Sequence, residues 1–448
     1  MARMFGTDGV RGVANEELTC ELAYRIGRAG ANVLTDGAHK PTILVGRDPR
    51  ISGNMLEAAV VAGICSTGAT AALVGVLPTP AVAHLTRLYE MDAGVMISAS
   101  HNSVEYNGIK FFDGNGFKLP DALEDRIEAL VKAEDDLPRP VGVHVGRSII
   151  MRNATDNYME FVKATTQADL AGMTIVVDAA NGAASYVAPR TLADMGATVH
   201  AFYNEPDGTN INDLCGSTHP ERLQQLVQEL GADIGLAFDG DADRLIAVDD
   251  RGRLVDGDHV MAICALDLKE RGALKGNTLV GTVMSNMGLE IAMREAGIQF
   301  IRTQVGDRYV LERMCQDHYC LGGEASGHVI FLDHNSTGDG LLTAVQLISV
   351  MVRKQKRLSV LADQCMEELP QVLVNIRINT DRREFLQTDV DIRREIDRLE
   401  KSLEGKGRVL IRLSGTEPLV RVMVEGEDRR EIQHKANELA ELIQKKMS

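Results

Sequence analysis

One arrangement of apolar and polar positions recurs along the chain. An apolar strand over Thr42–Gly46 leads into a helical stretch over Ser52–Thr67, a glycine stop at Gly68 and a second apolar strand over Thr70–Leu77. The order returns at Thr174–Asp178, with Ala188–Met195 inside a helix, Gly196 as the stop and Thr198–Tyr203 as the second strand. It returns again at Thr278–Met284, Leu289–Ala296, Gly297 and Ile298–Arg302. A strand–helix–strand unit puts its strands into a sheet covered by helices, so three occurrences predict three related α/β domains. The last part reads differently. Strands over Val372–Ile378, Arg408–Leu413 and Leu419–Val424 combine with amphipathic helices over Arg383–Leu403 and Glu427–Lys446, which predicts a smaller α+β domain. Candidate linkers are Asp135–Pro140, Asp249–Asp258 and the segment around Leu369–Gln371. The expected domains are therefore 1–150, 151–253, 254–368 and 369–448.

Composition agrees and removes some partners. At 448 residues the chain exceeds what one core serves, so several domains are expected. The stretch Ala58–Ala83 carries no charge and is long enough to cross a membrane. Gly63, Gly68, Gly75, Pro78 and Pro80 interrupt it, and it reads better as a buried helix followed by a buried strand. No membrane partner is expected. Seven scattered cysteines fit a reducing compartment, hence the cytoplasm, and Cys315 and Cys320 lack a second pair to complete a zinc site. The formal net charge of −16 argues against nucleic acid. It leaves an anionic small molecule open, because a pocket can be locally positive on an acidic protein.

The sharpest chemical signal is Asp239-Gly-Asp241-Ala-Asp243-Arg244, entered by an apolar strand over Ile234–Phe238 and left by another over Leu245–Val248. Three carboxylates in five residues repel one another unless a cation neutralises them, and hard oxygen ligands at this spacing suit Mg²⁺. The calcium-loop template fails, since Arg244 stands where glycine is needed and strands replace the flanking helices. A second signal is Gly94-Val-Met-Ile-Ser98-Ala99-Ser100-His101-Asn102, a buried strand ending in a polar turn that could present a nucleophile or simply cap a turn. Lys110, beside Phe111 and Phe112, is expected to be partly buried, with a depressed pKa suited to a general base, or to be a snorkelling strand lysine. Glu324, Ser326 and His328 would share one face of extended backbone and suit sugar hydroxyls or an amine. Arg412-Leu-Ser414-Gly415-Thr416, with Arg421 beyond, suits a phosphate. Gly6–Gly12 and Gly46–Arg50 are two further Gly/Arg clusters that fit either an anion or a tight turn.

Together these segments resemble the α-D-phosphohexomutase superfamily, and most closely its amino-sugar branch. The resemblance is carried by FGTDGVRGVAN (Phe5–Asn15), VMISASHN (Val95–Asn102), NGIKFF (Asn107–Phe112) and DGDADR (Asp239–Arg244). VGTVMSNMGLE (Val280–Glu290), RTQVGDRYVLE (Arg302–Glu312), GGEASGH (Gly322–His328) and RLSGTEPLVRVMVE (Arg412–Glu425) extend it over nearly the whole chain. Two departures stand out: Ser103 where many members have proline after Ser-His-Asn, and Ala325 where many have an amide residue. Related mutases often carry a histidine near the position of Asp307, where an acidic residue could favour an ammonium-bearing sugar.

The resemblance implies three α/β/α domains with mixed sheets and a smaller C-terminal domain around a central cleft. They would bear, in order, the phosphoserine, the metal, the sugar loop and the phosphate loop. It implies interconversion of glucosamine 6-phosphate and glucosamine 1-phosphate, on the way to UDP-N-acetylglucosamine and cell-wall precursors. Ser100 would be the phosphoserine, and Asp239, Asp241 and Asp243, with the Ser100 phosphate, would hold one Mg²⁺ per chain. Arg11, His101, Lys110 and Arg244 would surround the phosphoserine as catalytic residues. Glu324, Ser326 and His328 would read the sugar, and Arg412, Ser414, Gly415, Thr416 and Arg421 would hold the phosphate that does not react. Glucosamine 1,6-bisphosphate or glucose 1,6-bisphosphate would prime the enzyme, which would be a homodimer. Phosphoglucomutase or phosphomannomutase activity is the nearest alternative, and a metal-dependent sugar phosphatase a remoter one.

Overall fold

The computed structural model describes residues 3–6, 8–35, 40–133, 137, 139–377, 389–403, 406–413 and 419–447. The described chain forms two compact units, the first made of Met1–Met284 with Ile298–Cys365, the second of Ser285–Gly297 with Met366–Ser448.

The first unit contains three sheets. Strands β1 (Val10–Val13), β2 (Thr42–Arg47), β3 (Thr70–Val76), β4 (Ala93–Ile97), β5 (Tyr106–Asp113) and β6 (Ser148–Ile150) form a six-stranded sheet in the order β1-β5-β4-β2-β3-β6. Strands β7 (Thr174–Asp178), β8 (Thr198–Phe202), β9 (Ile234–Phe238), β10 (Leu245–Asp249) and β11 (Leu254–Val255) form a second sheet in the order β11-β10-β9-β7-β8. Strands β12 (Thr278–Thr282), β13 (Gln299–Thr303), β14 (Leu321–Gly323) and β15 (Val329–Phe331) form a third in the order β13-β12-β14-β15. All three sheets are mixed, with parallel and antiparallel neighbours.

The recurring sequence unit gives a parallel strand pair each time: Thr42 opposite Thr70, Thr174 opposite Thr198, and Thr278 opposite Gln299. The intervening helices are Ile51–Ser66, Ala184–Asp194 and Met287–Glu295. Gly68, Gly196 and Gly297 follow them with φ of 95°, 103° and 64°, a left-handed conformation that ends a helix without a Cβ penalty. The apolar runs behave as two-sided strands should, and β4, β9, β10 and β12 are buried along their whole length.

The second unit is the α+β part. Strands β16 (Gln371–Arg377), β17 (Gly407–Leu413) and β18 (Leu419–Gly426) pair antiparallel in the order β16-β18-β17. Helices Val390–Leu403 and Arg429–Met447 bury Ile392, Leu399, Leu403, Ile432, Leu439 and Ile443 in the same core as Val372, Val420, Val422 and Val424. The helix Met287–Glu295 belongs to this unit rather than to the strands it connects. Its cap residue Asn286 exchanges hydrogen bonds with the backbone of Leu369 at 2.9 and 3.1 Å, and the Met287 N–H donates to Glu425 at 2.8 Å.

Candidate active site

The turn after β4 is fixed from behind by a buried ion pair. Arg50, fully shielded from solvent, donates from Nε to Asp48 Oδ2 at 2.9 Å. Its remaining donors all go to backbone carbonyls of the turn: Ser100 at 2.9 Å, Asn102 at 2.7 Å, Tyr106 at 3.1 Å, and Ser103. Asp48 also accepts from Ser98 Oγ at 2.6 Å, and Ser98 Oγ in turn accepts the Ser100 N–H at 2.9 Å. Ser100 is thereby held at φ 53°, a left-handed conformation that costs a side-chain-bearing residue about 1 kcal/mol or more. The Gly46–Arg50 cluster is thus a turn scaffold and not an anion cradle, and Arg47 pairs with Glu57 at 3.3 Å.

The turn presents Ser100 Oγ to the aspartate loop. The hydroxyl donates to Asp239 Oδ2 at 2.6 Å, and His101 Nδ1 lies 3.3 Å from the same oxygen. Burial, with the Arg244 and Arg11 guanidiniums nearby, pushes the His101 imidazole down to about 4. Asp239, Asp241 and Asp243 sit in the hairpin between β9 and β10, all buried, with one oxygen of each lying within 4.8 Å of the others. Asp239 accepts the Arg244 N–H at 3.1 Å, and Asp241 Oδ2 accepts from Thr79 Oγ1 at 2.7 Å. Asp241 Oδ1 and Asp243 Oδ1 are buried and accept no hydrogen bond from the described residues. Burial and the neighbouring Asp243 and Asp241 carboxylates push the Asp239 carboxyl well above its usual range. Buried like charges with unanswered oxygens need a cation, and small hard donors fit Mg²⁺.

An alternating chain of charges starts from this loop. Lys110 Nζ bonds Asp241 Oδ2 at 2.8 Å and Asp8 Oδ2 at 2.8 Å. Asp8 also pairs with Arg11, and its Oδ1 meets Lys118 at 2.7 Å. Lys118 reaches Asp307, whose carboxylate lies 3.6 Å from His328 Nε2, and His328 Nδ1 lies 3.5 Å from Asp243. Lys110 departs here from the expected depressed pKa. Burial opposes its charge, but the Asp241 and Asp8 carboxylates outweigh burial and push the ammonium up. Asp307 is already engaged by Lys118, so it is not a free carboxylate awaiting an ammonium sugar.

The Glu324–His328 segment also departs from expectation. It is not extended: the Glu324 N–H donates to His328 O and the Gly327 N–H to Glu324 O, both at 3.0 Å, closing a hairpin between β14 and β15. Glu324 and His328 therefore stand opposite each other across the hairpin, in continuation of the β14–β15 register, and Ser326 lies in the turn between them. Glu324 accepts the Gly306 N–H at 3.0 Å, Ser326 is exposed at the tip, and His328 is buried beside Asp243. Arg11 Nη1 donates to Asn102 Oδ1 at 3.3 Å, so it reaches the serine turn. Arg244 Nε lies 3.8 Å from Asp243.

In the second unit, Arg412 on β17 and Arg421 on β18 are register partners. Like charges directly opposite on a sheet are unfavourable unless an anion or carboxylate offsets them. Ser414, Gly415 and Thr416 lie outside the described residues.

Thr79, Lys118 and Asn212 contact the site from outside every motif, whereas Asp8, Asp48 and Ser98 lie within the Gly6–Gly12, Gly46–Arg50 and Gly94–Asn102 segments without a separate signal of their own. Thr79 arrives by tertiary contact across the 162 positions that separate it from Asp241, whereas Ser98 is two residues from Ser100. A polar residue just after an apolar strand, as Asp48 and Ser98 are, was the one usable cue.

Residues 2–138, 156–252 and 256–369 match the phosphoglucomutase/phosphomannomutase alpha/beta/alpha domains I, II and III, and residues 373–442 match the C-terminal domain of the same family. The chain is 59% identical to a phosphoglucosamine mutase from Caldanaerobacter subterraneus subsp. tengcongensis over 448 residues, the full length of both. It is 57% identical to one from Clostridium acetobutylicum over 447 residues, again the full length of both. In fold it is similar to a phosphoglucomutase/phosphomannomutase family protein from Burkholderia thailandensis, with TM-score 0.80, 24% identity and coverage of 99% and 98%. It is also similar to N-acetylphosphoglucosamine mutase from Aspergillus fumigatus, solved with GlcNAc-6P and magnesium, with TM-score 0.68, 17% identity and coverage of 99% and 96%.

Proposed function

The chain belongs to the phosphoglucomutase/phosphomannomutase family, and from that premise we propose that it interconverts glucosamine 6-phosphate and glucosamine 1-phosphate through a phosphoryl group carried on Ser100. It is an enzyme of the phosphohexomutase class, and phosphoglucosamine mutases match it over their whole length at 57–59% identity. The observation that carries the reading is Ser100 Oγ at 2.6 Å from Asp239, beside a buried aspartate cluster with unanswered oxygens.

The proposed step balances without an outside reagent. The bond between phosphorus and Ser100 Oγ breaks as phosphorus bonds O1 of glucosamine 6-phosphate, and the O1 proton ends on Ser100 Oγ. The resulting hydroxyl can donate to Asp239, and His101 Nδ1 is within reach of that proton. The 1,6-bisphosphate then returns its 6-phosphate to Ser100 in the reverse sense. Asp239, Asp241 and Asp243 would hold one Mg²⁺, which when bound offsets charge on the transferring group. Lys110 and Arg244 bring positive charge to the same loop, so Lys110 serves here by neutralising charge rather than as a base. Glu324, Ser326 and His328 read the sugar, and Arg11, Arg412 and Arg421 with the Ser414–Thr416 loop take phosphate. Priming by glucosamine 1,6-bisphosphate or glucose 1,6-bisphosphate, a cytoplasmic homodimer, and the domain limits 1–150, 151–253, 254–368 and 369–448 belong to the same reading and rest on the family resemblance.

The test is a comparison of kcat/KM for glucosamine, glucose and mannose phosphates with the Mg²⁺-loaded protein. The glucosamine phosphates should be preferred. Preference for glucose or mannose phosphate would reassign the substrate, and stoichiometric release of inorganic phosphate would make the protein a phosphatase.

A further inference from the structure

We propose that Asn212 is a positioning residue for phosphoryl transfer, docking the Ser100 turn onto the aspartate loop; this rests on reading Ser100 as the phosphoryl carrier. Asn212 follows β8 in the sheet that carries the aspartate loop, whereas Ser100 follows β4 in the first sheet. Its Nδ2 donates to the carbonyl oxygens of Ser100 and Asn102, both at 2.9 Å. Both acceptors are carbonyls, so the amide orientation is dictated by chemistry. The same two oxygens receive Arg50 from the other side. Each carbonyl therefore has two donors, one from each sheet's own domain.

Two further observations give this contact leverage. Asn212 sits at φ 59° with its N–H on Ala180 O at 2.9 Å, so its side chain is aimed by a fixed left-handed backbone that asparagine tolerates. Gly240, inside the aspartate loop, runs directly over the contact. A Cβ there would fall 2.5 Å from Ser100 O and 2.8 Å from Asn212 Nδ2. Serine turn, asparagine amide and aspartate loop thus meet at one point.

The Asp48–Arg50–Ser98 scaffold fixes the shape of the turn but lies wholly within the first domain, so it cannot by itself fix the distance from Ser100 to Asp239. Thr79 and Lys110 tie the first domain to Asp241, and Asn212 supplies the cross-domain bond made to the Ser100 turn itself. Misplacing a reacting group by about 1 Å can cost about a hundredfold in rate.

The test uses the full chain with Asn212→Gly and Asn212→Asp. Glycine deletes the amide without straining the left-handed backbone. Aspartate keeps the shape but sets acceptors against acceptors. Three quantities are read: kcat and KM for glucosamine phosphate, the rate at which glucose 1,6-bisphosphate phosphorylates Ser100, and the thermal midpoint. Expected are a kcat fall of about tenfold for Gly and about a hundredfold for Asp, KM within about twofold, and Ser100 phosphorylation slowed in step with kcat. Wild-type kcat in Asn212→Gly, with at most a lower midpoint, would overturn the proposal and leave a structural role. If Asn212→Asp does not fold, the Gly variant decides alone. Wild-type protein that never carries phosphate on Ser100 would instead reject the reading beneath the proposal.

Discussion

Ser100 stands between two buried clusters of charge that differ in one respect. Behind it, Asp48 and Arg50 are fully shielded, and the arginine's donors are taken up by Asp48 and four carbonyls. In front, Asp239, Asp241 and Asp243 are equally buried, yet Asp241 Oδ1 and Asp243 Oδ1 accept no hydrogen bond from the described residues. Burial of charge is costly in both places. In the rear cluster the cost is offset by complete pairing, which fixes a strained turn. In the front cluster the protein's own groups leave it partly unmet, which is what the ligand set of a cation requires. Burial alone therefore does not separate scaffold from site; the completeness of pairing does.

The largest effect is expected for Ser100→Ala: mutase turnover should fall to background while the thermal midpoint stays near wild type. Next comes Asp241→Asn, which removes a charge from the front cluster. Activity should fall by about a hundredfold to a thousandfold and should not be restored by ordinary increases in Mg²⁺. Arg50→Met attacks the rear cluster instead. It leaves Asp48 buried and unpaired, so denaturant unfolding should show a loss of about 3–5 kcal/mol, more than Asp241→Asn costs. Equal stability losses in the two variants would erase the proposed distinction.

Lys118→Met should have a smaller effect. It leaves Asp8 and Asp307 facing each other without their shared cation, and kcat/KM should fall by about tenfold, with partial recovery in Lys118→Arg.

His84 sharpens the rule at its edge. Its ring stacks on Phe161 at 3.6 Å, both ring nitrogens are buried without a hydrogen bond among the described residues, and burial, with Arg87 nearby, pushes its pKa down to about 4. An unanswered neutral imidazole is core, not site. Because its folded pKa lies below the unfolded value of about 6.5, the unfolded chain binds more protons between these values. Stability should therefore fall as pH drops through that window, by at most about 1.4 kcal/mol per unit. His84→Phe should flatten the pH dependence of the thermal midpoint between about pH 6.5 and 4.

Much of this was legible in the sequence because it is local. The three strand–helix–strand units announce themselves by apolar runs and by Gly68, Gly196 and Gly297. The aspartate loop lies within six residues, and the serine turn directly follows a buried strand. What was illegible is what distant residues impose. The Lys110 ammonium is raised because Asp8 and Asp241 converge on it from other parts of the chain. Asp307 is engaged because Lys118 arrives 189 positions away. The Glu324–His328 segment failed for a local reason: two hydrogen bonds close a hairpin where spacing alone suggested extended backbone.

The central claim is that Ser100 carries the phosphoryl group. Its most direct test is intact-protein and peptide mass spectrometry after incubation with glucose 1,6-bisphosphate and Mg²⁺, followed by addition of glucosamine 6-phosphate. Expected are one phosphate on Ser100 in the first step and its loss to sugar in the second, with no phosphate acquired by Ser100→Ala. A fully active enzyme with Ser100 unmodified throughout would contradict it.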